Sequence, residues 1–438
     1  MSAGKHLMHN TMIDKIRMHA VTAAAGRFYY GWVIVAISAI ALFSSGPGQS
    51  FTFSVFLDPI SADLNVSHTG IATAYAFATL FAAFLLPRMG KLLDRFGPRQ
   101  TLIVVGSLLG VCCFFFGAAA NILWLAAGFA LLRFMGQGAT MMASANMVSQ
   151  WFSRKRGFAL SLMALGFAAS MAIHPPLGSY LIEQVGWRRA WVVLGLLTWL
   201  TMLLPLIFLA FDKPEAAGLK IDGGRSDAGG EGADASVDGL TLAQAKTTRA
   251  FYLLCGLWFT IAGLITVLHF FQVSILAERG FSSHDAARLF PVSAVAMIIA
   301  MPLTGRLFDA LRTRYVIAAG MLVSAVALFS ITLVASNSAA IAYAIAFGVG
   351  NAFMMTMFGY LWPRYFGRAH LGSIQGVGQM FGVVGASVAP LPVGYAIDTF
   401  NSPVGVIRTL AAVAVVMAVI VVLFLKTPAG VDVPDGLE

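Results

Sequence analysis

The chain has 438 residues, 59% of them hydrophobic and only 11% charged, with a mean hydropathy of +0.82. A soluble domain carries about 25% charged residues to cover its surface, so this composition excludes a soluble enzyme, a disordered chain and a secreted disulfide scaffold. A net charge of +9 would suggest nucleic acid as the partner of a soluble protein; here its distribution along the chain points to a membrane and to no nucleic acid.

Residues 1–29 include Lys5, Lys15, Arg17 and Arg27 and no apolar h-region, which reads as a cytoplasmic N-terminal tail and not a cleaved signal. A helix crosses hydrocarbon with about 20 apolar residues. Twelve such segments follow, at 30–57, 69–88, 101–119, 122–148, 157–182, 190–211, 250–276, 288–306, 314–335, 337–361, 371–396 and 404–425. The first six form an N-terminal half over 30–211, and the last six a C-terminal half over 250–425. Between them, 212–249 holds Gly-Gly pairs at 223–224 and 229–230 and seven of the 19 acids, the pattern of a polar cytoplasmic linker. Residues 426–438 are a short cytoplasmic tail. With both termini placed inside, 22 of the 28 Lys and Arg face inward and five sit at outer ends. This predicts a multi-pass plasma-membrane protein, in a bacterial inner membrane, whose positive excess meets anionic lipid.

The class is therefore an all-α polytopic membrane protein, and the two halves repeat one another. Pro87 and Gly90-Lys91-Leu92-Leu93-Asp94 match Pro302 and Gly305-Arg306-Leu307-Phe308-Asp309; Trp151-Phe152 matches Tyr365-Phe366; Ser67-His68 matches Ser283-His284. Two six-helix halves related in this way enclose a cavity near the bilayer midplane and expose it to either side by rocking.

Gly90-Lys-Leu-Leu-Asp94-Arg95-Phe-Gly97-Pro-Arg99 resembles the loop between helices 2 and 3 of the major facilitator superfamily. The resemblance implies that fold and a conformational gating role for Gly90, Asp94, Arg95, Gly97 and Arg99, with Asp309 at the repeat-related position. Three patches resemble the monocarboxylate-transporter and oxalate/formate-antiporter group more narrowly: Tyr29-Tyr30-Gly31-Trp32-Val33, the stretch from Trp151-Phe152 to Gly166, and Gly186-Trp187-Arg188. The departures matter. An Asp and an Arg that animal members carry in helix 8 correspond here to Met297 and Met301, and a Lys of the oxalate antiporter corresponds to Gln379. With those cations missing, a dianion is a poor candidate substrate.

Ionisable groups inside hydrocarbon are costly and usually functional. No Asp or Glu falls at mid-depth in any segment. Asp58 and Asp398 sit at outer ends, so the carboxylate proton relay of cation-coupled drug pumps is missing. Arg133 is the exception in helix 4, about 16 Å from the outer end of that helix, where its guanidinium can grip a carboxylate with two parallel hydrogen bonds. The competing reading is a structural Arg tied to backbone carbonyls. His174, before Pro175-Pro176 in helix 5, and His269, in helix 7, are the candidate proton carriers. Neutral histidines bonded between helices are the plainer alternative. Gln49, Gln137, Asn146, Asn351, Tyr360, Gln375 and Gln379 are uncharged candidates for lining a site, and interhelical bonding would explain them equally.

No phosphate-binding glycine loop and no metal-ligand spacing occur, so the expectation is a chain with no cofactor, no metal and no catalytic group. It reads as a monomeric secondary transporter of small organic anions, foremost monocarboxylates, working by proton-coupled symport. An anion exchanger or an exporter of apolar or amphipathic compounds is the alternative.

Overall fold

The computed structural model describes residues 12–152, 156–221, 240–366 and 371–426. Gly90, Asp94, Asp309 and Gln375 lie in helices but, as side chains, outside the described residues. No strand occurs among the described residues. The short helix α1 (Met12–Ala24) buries Val21 and Ala24 and precedes the first crossing.

That crossing is broken. α2 (Gly31–Ser44) stops at Ser45, a single 3-10 turn spans Gly46–Gly48, and α3 (Ser50–Phe53) and α4 (Leu57–Leu64) complete the passage. Pro47 between two glycines explains the break, because proline donates no N–H to the ladder and glycine leaves the backbone free. The break exposes the Gly48 carbonyl at mid-depth, where a helix would have consumed it. α5 (His68–Phe96) and α6 (Pro98–Gly117) follow. The fourth crossing runs from α7 (Ile122–Leu132) through a π-helical stretch, Arg133–Ala139, into α8 (Thr140–Trp151). The loop expected between the fifth and sixth segments is a single turn. α9 (Arg156–Thr198) covers both crossings, reversing at Gly186 (φ +78°), and continues through a π stretch into α10 (Leu204–Phe208).

In the second half, a capped turn α11 (Leu242–Ala245) leads into α12 (Arg249–Ala277), α13 (Ser283–Ala310), α14 (Thr313–Ile331) and α15 (Asn337–Phe366). The eleventh crossing divides into α16 (Leu371–Val388) and α17 (Pro390–Phe400), and α18 (Val404–Phe424) ends the bundle. The helix caps refine the repeat. Ser67 Oγ accepts from Gly70 N (3.0 Å) at the start of α5, and Ser282 Oγ accepts from Asp285 N (3.1 Å) at the start of α13. The two caps stand 215 residues apart, as do the first residues of α6 and α14, so the pairing of Ser67-His68 with Ser283-His284 is one residue out of register.

The end holding Gly31 and Phe424 is termed the inner end, the opposite one the outer end. The halves meet along α5 against α16 and α17, α9 against α13, and α3 against α12. At the outer end the approach is close: a Cβ built on Gly394 of α17 would stand 2.9 Å from the His68 carbonyl oxygen. Exposed Val415, Val419 and Leu423 on α18 face outward, as a lipid-facing surface requires.

The α5–α6 loop is fastened within its own half. Gly97 takes φ +80°, and Asp212 Oδ1 accepts from Arg99 N (2.8 Å) at the start of α6, while Arg99 Nε donates to the Leu206 carbonyl (3.3 Å). Asp212 thus serves as an N-terminal cap contributed from past the sixth crossing. Asp212→Ala is expected to lower thermal stability by about 1 kcal/mol, read as a small drop in Tm of the purified protein.

Candidate functional site

Arg133 opens the π-helical stretch of the fourth crossing and is 3% exposed. The stretch is made possible by glycine. A Cβ on Gly136 would stand 2.7 Å from Gly48 Cα, and one on Gly48 would collide with the Leu132 carbonyl oxygen. The broken first crossing and the π stretch therefore touch backbone to backbone. That approach lets Arg133 Nη1 donate to Gly48 O (3.1 Å) and to Ser50 Oγ (3.4 Å). Ser50 Oγ also pairs with Tyr75 OH (2.8 Å), and the guanidinium lies 5.2 Å from the centre of the Tyr75 ring. Tyr75 is fully buried and its ring packs 4.4 Å from Phe270 of the opposite half.

One edge of the guanidinium is thus tied and the other is not: Arg133 Nε is buried without a hydrogen-bond partner among the described residues. No carboxylate pairs with Arg133 among them. The His269 imidazole, from α12 of the opposite half, is an electrostatic neighbour of Arg133. It is 5% exposed, and its Nε2 likewise lacks a partner. Phe51 and Phe347 flank it at ring distances of 5.7 and 4.9 Å. A buried cation with no counter-charge carries a desolvation cost of several kcal/mol.

The other sequence candidates divide. Gln49 adjoins Ser50, and its Nε2 donates to Ser45 Oγ (3.3 Å) in the same break. Asn351 Nδ2 donates to the Phe347 carbonyl (2.9 Å), one turn away from the His269 contact, and its Oδ1 is buried without a partner. Gln137 and Asn146 are half-buried along the fourth crossing. Gln379 accepts from Trp258 Nε1 (3.2 Å), and Trp258 precedes His269 by about 16 Å along α12, which sets Gln379 apart from the Arg133 cluster. Tyr360 donates to the Phe308 carbonyl (2.6 Å) and bonds Arg364, bracing α13 to α15. His174 is occupied: its Nδ1 lies 3.1 Å from both Ser170 oxygens, and its ring fills the space over Gly46 and packs on Phe43. Met297 and Met301 join Ala168, Ala300 and Ala352 in a small apolar cluster between α9, α13 and α15, so nothing polar replaces the charges missing at those two positions.

Tyr75 and Ser50 escaped the sequence reading. Their signal, a tyrosine and a serine in apolar helices, is too common to stand out. Among the described residues, the narrower motif patches supply braces. Tyr29 and Trp32 pack on Phe152 (5.6 and 4.8 Å) at the inner end, and Tyr29 OH donates to the Trp151 carbonyl. Trp187 Nε1 and Arg188 Nη2 both donate to Asp63 Oδ2 (3.1 and 2.8 Å) at the outer end. None of these braces includes Arg133, Ser50, Tyr75 or His269. Arg188→Ala removes an ion pair whose partners are 42% and 45% exposed. Arg188 Nη1 also donates to the Ala119 carbonyl (2.6 Å), so the loss should cost about 1–2 kcal/mol in all and leave any transport rate nearly unchanged, as a vesicle assay beside a melting curve would show.

A family model described as Major Facilitator Superfamily matches residues 37–276 and 253–436. The chain is 25% identical to an oxalate:formate antiporter of Oxalobacter formigenes over 44% of each chain. It is 25% identical to the uncharacterized MFS-type transporter YhjX of Escherichia coli (strain K12), over 75% of this chain and 80% of that one. To monocarboxylate transporter 11 of Mus musculus it is 28% identical, over 39% of this chain and 38% of that one. Its matches thus span less than half the length of two of these three relatives. Among solved structures, a bacterial homologue of the human lysosomal transporter Spinster, inward-facing and unoccupied, superposes with a TM-score of 0.65 at 16% identity, over 92% of this chain and 95% of that one, which speaks to the fold alone.

Proposed function

The chain belongs to the Major Facilitator Superfamily, and from that premise we propose that it is a secondary transporter of small organic anions, foremost monocarboxylates. The observation that carries the proposal is the pair of buried nitrogens without partners, Arg133 Nε and His269 Nε2, contributed by opposite halves. A carboxylate seated between them binds both halves at once, which is what a substrate of an alternating-access carrier must do. The guanidinium supplies the charge and the imidazole a second polar contact. Phe51 and Phe347 leave an apolar lining for a short carbon chain. Similarity to an oxalate:formate antiporter and to a monocarboxylate transporter supports an organic anion. A single cation at the site favours a monoanion over oxalate.

Coupling to protons belongs to the same proposal. His174 is spoken for by Ser170, which leaves His269 as the mid-depth group able to take a proton beside the substrate. Both termini lie on the cytoplasmic side of the membrane. The test is uptake of labelled lactate and pyruvate into proteoliposomes, with and without an inside-alkaline gradient. Symport predicts stimulation by the gradient. Stimulation only by preloaded unlabelled substrate would make the protein an exchanger, and no uptake under any condition would favour the exporter of apolar compounds.

A further inference from the structure

We propose that His68, clasped between Asp58 of its own half and Asp398 of the other, is a proton-binding site that latches the outer end of the transporter shut. Five contacts join the halves there. Asp398, near the end of α17, accepts from the backbone N–H groups of His68 and Thr69 (3.0 and 2.6 Å), capping α5 across the interface. Its Oδ1 also stands 3.5 Å from His68 Nδ1. Asp58 of α4 accepts from Ser274 Oγ of α12 (2.9 Å), and Val273 N donates to Ser54 Oγ (3.3 Å).

The imidazole is what ties these together. His68 Nε2 lies 3.0 Å from Asp58 Oδ1 while Nδ1 faces Asp398. Each ring nitrogen thus has a carboxylate oxygen within 3.5 Å. A neutral imidazole has one N–H and one lone pair, so one of the two contacts would set lone pair against anion. Only the imidazolium donates to both. The third acid facing this group is Glu278, at the end of α12, whose carboxyl burial raises above its ordinary value; among the described residues the cations acting on it are Arg279, next to it in the chain, and His68. Outward opening draws α17 away from α5, so the imidazolium keeps Asp58 and loses Asp398. By linkage the proton therefore favours closure. The Asp58 and Asp398 carboxylates hold the His68 imidazolium above its ordinary range, so the latch is fully held below about 6.5 and releases as the outer solution is made alkaline beyond that.

The inference rests on the two-half architecture and not on any substrate. The experiment reads conformation, so it stands apart from the transport assay. Spin labels are placed at Ala120→Cys and Ala335→Cys, exposed positions in outer loops of the two halves; the three native cysteines are buried and stay unlabelled. Distances are measured in the full-length protein in nanodiscs from pH 5 to 8.5, without substrate. The short-distance population should grow on acidification, its ratio to the long-distance one rising by up to about tenfold per pH unit, the limit for one proton. The response should vanish in His68→Gln and in Asp398→Asn, the second of which keeps an oxygen to cap α5. A wild-type distribution that ignores pH, or a response surviving in both variants, overturns the proposal.

Discussion

Arg133→Gln is expected to reduce monocarboxylate uptake on the order of 100-fold, because removing one partner of a desolvated charge pair costs about 2–5 kcal/mol. Glutamine keeps a donor for the Gly48 carbonyl, which Arg133 reaches at 3.1 Å, so the break in the first crossing stays braced and the variant should still fold. Arg133→Lys keeps the charge and loses the planar fork that holds Gly48, Ser50 and the substrate at once. It should recover part of the rate, chiefly at high substrate concentration. Equal uptake by all three proteins would reduce Arg133 to a backbone tether. Quantifying initial rates against protein reconstituted, with monodispersity checked in parallel, separates these outcomes.

Gly136→Ala is expected to do more damage than its size suggests. Its Cβ would stand 2.7 Å from Gly48 Cα and 3.1 Å from both Gly48 N and Ser45 O. All three are backbone atoms, so no rotamer change relieves the contact. Either the π stretch or the broken first crossing must shift, at about 1–3 kcal/mol for overpacking and toward the upper end here because only backbone can yield. Since Arg133 is aimed by that same contact, binding should fall together with the melting temperature. Gly405→Ala is the control, because a Cβ there meets nothing within 4 Å and should leave both unchanged.

The two substitutions mark where the sequence was legible. Hydropathy and Lys/Arg bias reveal the spans because hydrocarbon tolerates so few polar groups, and Arg133 stood out for the same reason. The break at Gly46-Pro47-Gly48 was absorbed into one long apolar run, since hydropathy averages over a kink. With it went the carbonyl that Arg133 grips and the contribution of Ser50. Tyr75 was hidden because its role depends on a neighbour 58 residues away in the chain. His269 is a candidate from its helix, yet nothing in the sequence tells that Arg133 is its electrostatic neighbour across the two halves while His174 turns into Gly46. The outer-end acids Asp58 and Asp398 were visible one by one. Their convergence on His68 is a fact of tertiary packing. The motif patches misdirect in the opposite sense, since Trp187-Arg188 and Tyr29-Trp32 are conspicuous and serve as braces.

The central claim is that a small carboxylate binds at Arg133. A ligand that binds only the folded state raises stability by RT ln(1 + [L]/Kd), about 2.7 kcal/mol at 100 times Kd. The most direct measurement is the thermal midpoint of the purified protein across rising concentrations of lactate, pyruvate and chloride, in the wild type and in Arg133→Gln. A saturable rise with the carboxylates, absent with chloride and lost in Arg133→Gln, is the predicted result. The same rise in both proteins, or none in the wild type, would contradict it.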